Sequence, residues 1–516
     1  MSQPHQNKPD KVIQQLYRES QEAWVRQDHQ KSISLIEQAA RKEPASPNHL
    51  LLLARLHGLR YDYSAAEQYL EKALKISQGS VHTMEEAGQV CRAFNDLDMM
   101  QGYLERARQK KGVTIATLNS LADIYLLDNR LDQATEILAQ AARIDRKNTH
   151  VLMGEAILNW RRGKTIEAES FFRDLLGNPA ANIVTRVRSA YHLAGLLDSE
   201  GQYDEAMSAL LEGKAIQRSR ASPLATQLQR MQNLNKEMER TLTTSILDRW
   251  RAGAAKLQPP RRIALLSGHP RSGTTLLEQV LDAHSGVVSI EETNLLHEEV
   301  YQPLARNFPQ GTGMLQMLDS APPSVLVQAR ENYFHCSEMF LRQPIGDRLL
   351  VDKNPGVNIL VPLLVRFFPE TKFLIALRDP RDVVMSCFMQ SLQLTPTSFA
   401  YLSLDGTVNQ YASVMGFWLE MLPRLGNQWQ QVRYEEMIDD LPSVARSVLE
   451  FLEVGFEDNV LKFYEHARTK RVNSPSYADV KKPLYRTAVG RWRNYEKYLE
   501  PYLPGLERFL KEFNYH

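Results

Sequence analysis

The sequence predicts two folds in one chain: an all-α array of stacked helix pairs, followed by an α/β domain with a central parallel sheet. Three observations predict this. A pattern of small and large apolar residues returns every 34 residues through the first part of the chain. Near residue 245 the composition changes. Before it, proline and glycine are sparse and Ala, Leu, Glu, Gln and Arg are abundant; after it come short β-branched runs separated by helical stretches. Residues 263–281 then read as strand, glycine loop and helix, the build of a phosphate-binding loop.

The repeat is explicit. Ala39, Ala73, Ala107 and Ala141 lie 34 residues apart. Ile36, Leu70, Leu104 and Leu138 stand three residues before them, and Ser32, Ala66, Met100 and Ala134 seven before. Ser20, Ala54, Gly88 and Ala122, all small, stand nineteen before. A fifth unit continues through Ala156, Ala168, Phe172 and Leu175. A sixth, shifted by four residues, runs through Ala194, Gly201, Ala206, Leu210 and Gly213. The small residue on the first helix of a pair lets the second approach closely, and the large aliphatic residue fills the groove between neighbours. The pattern resembles a tetratricopeptide repeat (TPR) array over residues 10–220, although the consensus aromatic is often missing. That resemblance implies a superhelix whose groove takes a peptide or protein ligand; the alternative is a spacer or dimerising role. Residues 221–258 read as a capping helix and linker, with Leu228, Met231, Leu234 and Met238 as a buried apolar stripe. Residues 259–516 form the α/β domain.

Composition narrows the function. Of 516 residues, 43% are hydrophobic and 24% charged, as in ordinary folded proteins. Sixty-two Lys and Arg against sixty-one Asp and Glu leave a net charge of +1, which removes any bulk electrostatic case for nucleic acid or an anionic membrane. No run of about 18 apolar residues occurs, so no membrane span is expected. The polar N-terminus has no apolar signal core, which favours the cytoplasm. Cys91, Cys336 and Cys387 are too few and too scattered for a disulfide framework or a thiolate zinc site. No His, Cys and carboxylate cluster has metal-ligand spacing, so no required metal is expected.

The informative segment is Gly268-His-Pro-Arg271-Ser272-Gly273-Thr274-Thr275. It keeps the Gly-x-x-x-x-Gly frame of a Walker A loop, but Thr274 stands where lysine belongs; Thr275 holds the Ser/Thr position. The loop presents backbone N–H groups and a helix N-terminus to an anion. Lacking the lysine that neutralises β- and γ-phosphates, and with Arg271 inside it instead, it is expected to hold a phosphate rather than an ATP–Mg²⁺ pair. Pro270 to Thr275 resembles the 5′-phosphosulfate loop of sulfotransferases that use 3′-phosphoadenosine 5′-phosphosulfate (PAPS). The stretch through Leu281-Asp-Ala-His284 and Glu291-Glu-Thr293 is similar to tyrosylprotein sulfotransferases in particular. The resemblance covers roughly residues 260–516. It implies PAPS as cofactor, adenosine 3′,5′-bisphosphate as product, a hydroxyl-bearing acceptor, and Arg271, Ser272, Gly273, Thr274 and Thr275 as cofactor contacts.

Further motifs follow in the family's order. Arg378 ends the apolar strand Phe373 to Leu377, where α/β folds place ligand contacts, and Ser386 lies two helical turns on. The pair resembles the family's 3′-phosphate site, for which a guanidinium is well suited. A local pairing of Arg378 with Asp379 or Asp382 is the alternative. Tyr434, at the start of Tyr434-Glu-Glu-Met, resembles the tyrosine that contacts the nucleotide. Ser476, Lys482 and Arg491 carry over by position as phosphate contacts of the C-terminal loop, unless that loop is a solvated turn.

Sulfuryl transfer passes through a loose, in-line transition state, so catalysis rests on positioning and electrostatics. The resemblance aligns Glu292 with the general base, with Glu291 as the lesser alternative. It aligns Lys353 with the lysine that stabilises the departing bridging oxygen, a task Arg271 would share. His269, His284 and His335 are the next candidates for acid–base work, His284 more as a packed residue. One departure stands out: Asn294 replaces the arginine with which tyrosylprotein sulfotransferases read acidic peptides. The acceptor therefore stays open among protein tyrosine, carbohydrate and small molecule. A P-loop kinase or NTPase is the competing enzyme, against which the missing lysine argues. A non-catalytic TPR scaffold with a degenerate nucleotide-binding half is the other alternative. The joint presence of Arg271, Glu292, Lys353, Arg378 and Ser386 argues against it.

Overall fold

The computed structural model describes residues 11–219, 221–257, 259–356, 358–469 and 481–516. Within them the chain forms two compact units. One runs to Arg146 and is joined by Asn332–Pro344; the other comprises Lys147–Glu331 and Ile345–His516.

The first unit holds four helix pairs: Lys11–Val25 with His29–Lys42, Pro47–Gly58 with Tyr63–Ile76, Val81–Ala93 with Leu97–Arg108, and Ile115–Leu127 with Leu131–Ile144. The periodic residues are its core. Ala39, Ala73, Ala107 and Ala141 are wholly buried, as are Ile36, Leu70 and Leu104. The small residue is needed where predicted: a Cβ on Gly88 would sit 2.5 Å from Leu104 Cδ2. The turns repeat too. Gln27, Tyr61, Asn95 and Asn129 all adopt left-handed backbone, and Asp28, Asp62 and Asp96 each cap the following helix through a side-chain bond to the N–H three residues on. Phe340 packs on Tyr61 and Tyr63, and Arg342 pairs with Asp96 at 2.5 Å.

The second unit begins with two more pairs, Thr149–Arg161 with Thr165–Gly177 and Ile183–Ser199 with Tyr203–Arg218. Gly163 and Gly201 now take the left-handed turn position, and a Cβ on Gly213 would lie 2.6 Å from that of Ala190. Leu175, at the periodic position, is only half-buried; Leu176 is in the core instead. The next helix, Ser222–Thr241, corrects the expectation of an apolar stripe. Leu228 and Met231 are half-buried and Leu234 is exposed, leaving Met238 as the one stripe residue that is fully buried. The helix is rotated to place Asn235 inward, and side-chain amides donate hydrogen bonds, Gln232 to Gln410 and Asn235 to Ser413, that fasten it to helix Leu404–Met421.

The α/β part is built on five parallel strands: β1 (Ile263–Gly268), β2 (Val287–Glu291), β3 (Leu349–Lys353), β4 (Lys372–Leu377) and β5 (Trp429–Arg433), in the order β2-β3-β1-β4-β5. All six residues of β1 are buried, as expected for a central strand covered by helices on both faces. Leu276, Leu277, Val280 and Leu281 of helix Thr274–Asp282 pack on Ala264, Leu266 and Val351. The chain leaves β1 toward β2 and β3 and later returns to its other side with β4. That reversal places the ligand crevice at the carboxyl ends of β1, β3 and β4.

Candidate active site

Each strand delivers one candidate residue at its carboxyl end: Arg271 after β1, Glu292 after β2, Lys353 at the end of β3, Arg378 after β4 and Tyr434 after β5. The loop from Gly268 to Gly273 needs its glycines. Gly268 has φ +130° and Gly273 φ +95°; added Cβ atoms would meet Ala376 O at 2.5 Å and Tyr434 Cδ2 at 2.8 Å. Gly273 is also the N-cap of helix Thr274–Asp282 and, having no side chain, puts no acceptor over the first turn, so the helix N-terminus faces the cavity without a side-chain cap. Gly268→Ala is expected to destabilise the domain by about 1–3 kcal/mol from backbone strain alone, with the contact on β4 adding to it. Urea unfolding measures this, and an unchanged midpoint would contradict the loop geometry.

A cavity of about 1070 Å³ opens at these strand ends. Arg271, Gly273, Thr274, Thr275, Glu292, Arg378, Ser386, Tyr434, Lys482 and Arg491 line it. Ser272 does not: its hydroxyl turns inward and donates to His269 O at 2.7 Å, bracing the loop. Ser476 lies outside the described residues. Arg271 holds a left-handed backbone (φ +73°) and donates from Nε to Ser386 Oγ at 3.1 Å, so the 5′ and 3′ candidate contacts are joined. Arg378 lies over the Tyr434 ring at 4.9 Å and donates to Arg271 O at 3.3 Å and to Ala488 O. Its Nε is buried with no hydrogen-bond partner among the described residues. The local pairing weighed for it is present in weak form, with Asp382 3.8 Å away, while Asp379 is taken by Arg381 at 2.8 Å.

Lys353 is wholly buried and is not among the cavity's lining residues. Its ammonium sits 2.7 Å from Glu292 Oε1 and 3.5 Å from Glu291 Oε2. Burial pulls its pKa down, but attraction to Glu292, Glu278 and Glu291 outweighs that and holds it above the ordinary lysine value. Glu292 is half exposed toward the cavity, with a left-handed backbone (φ +51°) fixed by its N–H bond to Lys353 O at 2.8 Å. Strained backbone at both Arg271 and Glu292 is the kind of cost that functional sites carry.

Residues 264–458 match the model of the sulfotransferase family, and residues 48–79 and 115–148 match tetratricopeptide repeat models. The C-terminal half contains a sulfotransferase-family domain, preceded by TPR repeats. An uncharacterized protein of Aquifex aeolicus is 24% identical over 425 residues, covering 79% of this chain and 52% of that protein. The protein-tyrosine sulfotransferase of Drosophila melanogaster is 25% identical over 241 residues, covering 45% and 46%. The chain thus spans about half the length of these curated relatives. Among solved structures, the sulfotransferase domain of the Synechococcus PCC 7002 olefin synthase is 23% identical, with a TM-score of 0.34 over 45% of this chain and 88% of that one.

Two of the three histidine candidates, His269 and His284, are packed. His269 is fully buried, and burial pushes its pKa down to about 4, so it stays neutral. His284 donates from Nε2 to Gly455 O at 2.6 Å and accepts from Gly286 N–H at 2.9 Å, as a packed residue does. His335 is exposed in the other compact unit. Among the described residues no helix is long and apolar enough to cross a membrane, and no three His, Cys, Asp or Glu side chains are placed to hold a metal ion. Sequence reasoning missed the role of Asp382. Its carboxylate accepts the N–H groups of Gly490 at 2.7 Å and Trp492 at 2.9 Å, pinning the C-terminal segment beside Arg378. Its place one turn past Arg378 was the available signal.

Proposed function

We propose that the sulfotransferase domain moves a sulfuryl group from PAPS to an acceptor hydroxyl, with Glu292 as general base. The observation that carries this is the convergence of a lysine-less phosphate loop, Arg271, Arg378 and an exposed carboxylate on one cavity. The residues fit the cofactor: a helix N-terminus that Gly273 leaves without a side-chain cap suits the 5′-phosphate end, and the buried Nε of Arg378, with no hydrogen-bond partner among the described residues, suits a 3′-phosphate. When bound, PAPS supplies the activated sulfuryl group. Arg271 would contact the 5′-phosphate, Arg378 and Ser386 would hold the 3′ end, and Tyr434, whose ring lies 4.9 Å from the Arg378 guanidinium, would keep that side chain in place. Lys482 and Arg491 add charge at the rim. Glu292 takes the hydroxyl proton. Lys353 lies on Glu292, so in this state it holds the base; work on the bridging oxygen requires it to leave that carboxylate. Among the described residues, the basic side chains lining the cavity are the four assigned to phosphates, Arg271, Arg378, Lys482 and Arg491. Together with Asn294 this favours an acceptor hydroxyl of protein tyrosine, carbohydrate or small molecule without acidic flanks. The TPR array is proposed to hold a peptide or protein ligand.

Titration with adenosine 3′,5′-bisphosphate and with ATP–Mg²⁺ tests the reading. Tighter binding of the bisphosphate is expected, and preference for ATP–Mg²⁺ overturns it in favour of a kinase or NTPase. Labelled sulfate transfer from PAPS into lysate then shows which acceptor class takes the label. Cofactor binding with no transfer to any acceptor would favour the scaffold reading.

A further inference from the structure

We infer that Asp198, on the sixth helix pair of the repeat array, is a positioning residue of the cofactor cavity: it holds Arg491 in place, which makes the end of the array part of the active site. The inference rests on the reading of the cavity as a PAPS site. Asp198 lies in the last turn of helix Ile183–Ser199 and lines the same cavity as Arg271, Arg378 and Ser386. Its Oδ2 accepts from Arg491 Nη2 at 2.5 Å, and its Oδ1 accepts from Tyr495 O–H at 2.6 Å. Tyr495 is fully buried and packs edge-on against Tyr203 of the same helix pair, so the carboxylate is held from behind rather than free to swing.

The arrangement is a strap. Residues 488–495 cross from the Arg378 side of the cavity to the repeat side. Ala488 O is held by Arg378, Gly490 and Trp492 N–H by Asp382, and Arg491 and Tyr495 by Asp198. A guanidinium has five donors in a fixed fork. One N–H on Asp198 fixes its plane and leaves the others to an anion. Without that anchor, a long and partly exposed arginine would have to be ordered at each binding event, at a cost in rotamer entropy. The same helix pair supplies a built-in comparison. Asp204 makes a similar pair with Lys497 at 2.7 Å and Tyr498 at 3.0 Å, but it is exposed and does not line this cavity.

The test is a double-mutant cycle on adenosine 3′,5′-bisphosphate affinity, read by calorimetry on the full chain. Asp198→Asn is expected to weaken binding roughly tenfold, the scale of one charge-assisted contact. The same change in an Arg491→Gln background is expected to add nothing. Tyr495→Phe should give a smaller loss in the same direction, and Asp204→Asn none. In turnover, the KM for PAPS should rise in Asp198→Asn while kcat holds. Unchanged or tighter binding by Asp198→Asn overturns the inference. So does an equal loss in the Arg491→Gln background, or the same loss in Asp204→Asn, since either marks a general effect on folding. Wild-type protein that does not bind the bisphosphate overturns the cofactor reading along with it. A wild type that binds normally while Asp198→Asn binds equally well overturns the positioning role alone.

Discussion

Glu292→Ala is expected to cut sulfuryl transfer by ~10²-fold or more, the usual scale of a lost general base, while cofactor affinity stays within about twofold because no cofactor contact is removed. The geometry separates the two effects. Glu292 stands after β2, and its described contacts are with Lys353, through the 2.8 Å backbone bond and the 2.7 Å ion pair; none is with the phosphate loop. Glu291 is the neighbouring alternative, but its carboxylate is only 12% exposed, half-turned toward Lys353, and absent from the cavity wall. Removing Glu292 leaves Lys353 near Glu291 and Glu278, so the buried ammonium keeps counter-charge and the fold should survive. Steady-state turnover with saturating acceptor, paired with calorimetric titration of adenosine 3′,5′-bisphosphate, reads both quantities. Equal losses in the two would remove Glu292 from the base role and make it a cofactor contact.

The repeat was legible because close packing of helix pairs imposes the same demand at the same offset in every unit, so Ala39, Ala73, Ala107 and Ala141 had to be small. A second periodic signal was equally legible and went unread. Asp28, Asp62 and Asp96 cap the second helix of three successive pairs at the 34-residue spacing, each preceded by a left-handed residue; Arg130 breaks the series, which hides it. The stripe through Leu234 misled because a helix docked by amides on Leu404–Met421 needs fewer apolar residues than one docked by packing alone. At the site, residues just beyond strand ends were readable from local pattern, since a parallel sheet gathers those ends. What could not be read was how they are held. Arg491 meets Asp198 across 293 residues, and the burial of Lys353 depends on carboxylates from β2 and from helix Thr274–Asp282. Pairings of that kind come from tertiary packing and leave no local spacing.

Arg378→Ala is expected to weaken cofactor binding by ~10²-fold or more, since it removes a charge-assisted fork from a buried site. Two losses combine. The direct one is the guanidinium itself, whose Nε faces no protein acceptor among the described residues. The indirect one is the joint it makes between the carbonyl of Arg271 in the phosphate loop and that of Ala488 in the C-terminal strap. Arg378→Lys distinguishes them, because an ammonium keeps the charge but not the planar fork. Affinity midway between wild type and Arg378→Ala is therefore expected for the lysine variant. A pH signature should accompany the alanine change. Burial already raises the Asp382 carboxyl above the usual carboxylate value, and Arg378 is the largest influence opposing that rise. Without it the pKa climbs further. The folded state then keeps a proton that the unfolded state has released, so stability falls more steeply than in the wild type as pH rises through the carboxylate range. Denaturant unfolding at several pH values measures that slope. Unchanged bisphosphate affinity in Arg378→Ala would contradict the 3′-phosphate assignment, and an unchanged slope would show that the strap's own N–H groups, not Arg378, keep Asp382 charged.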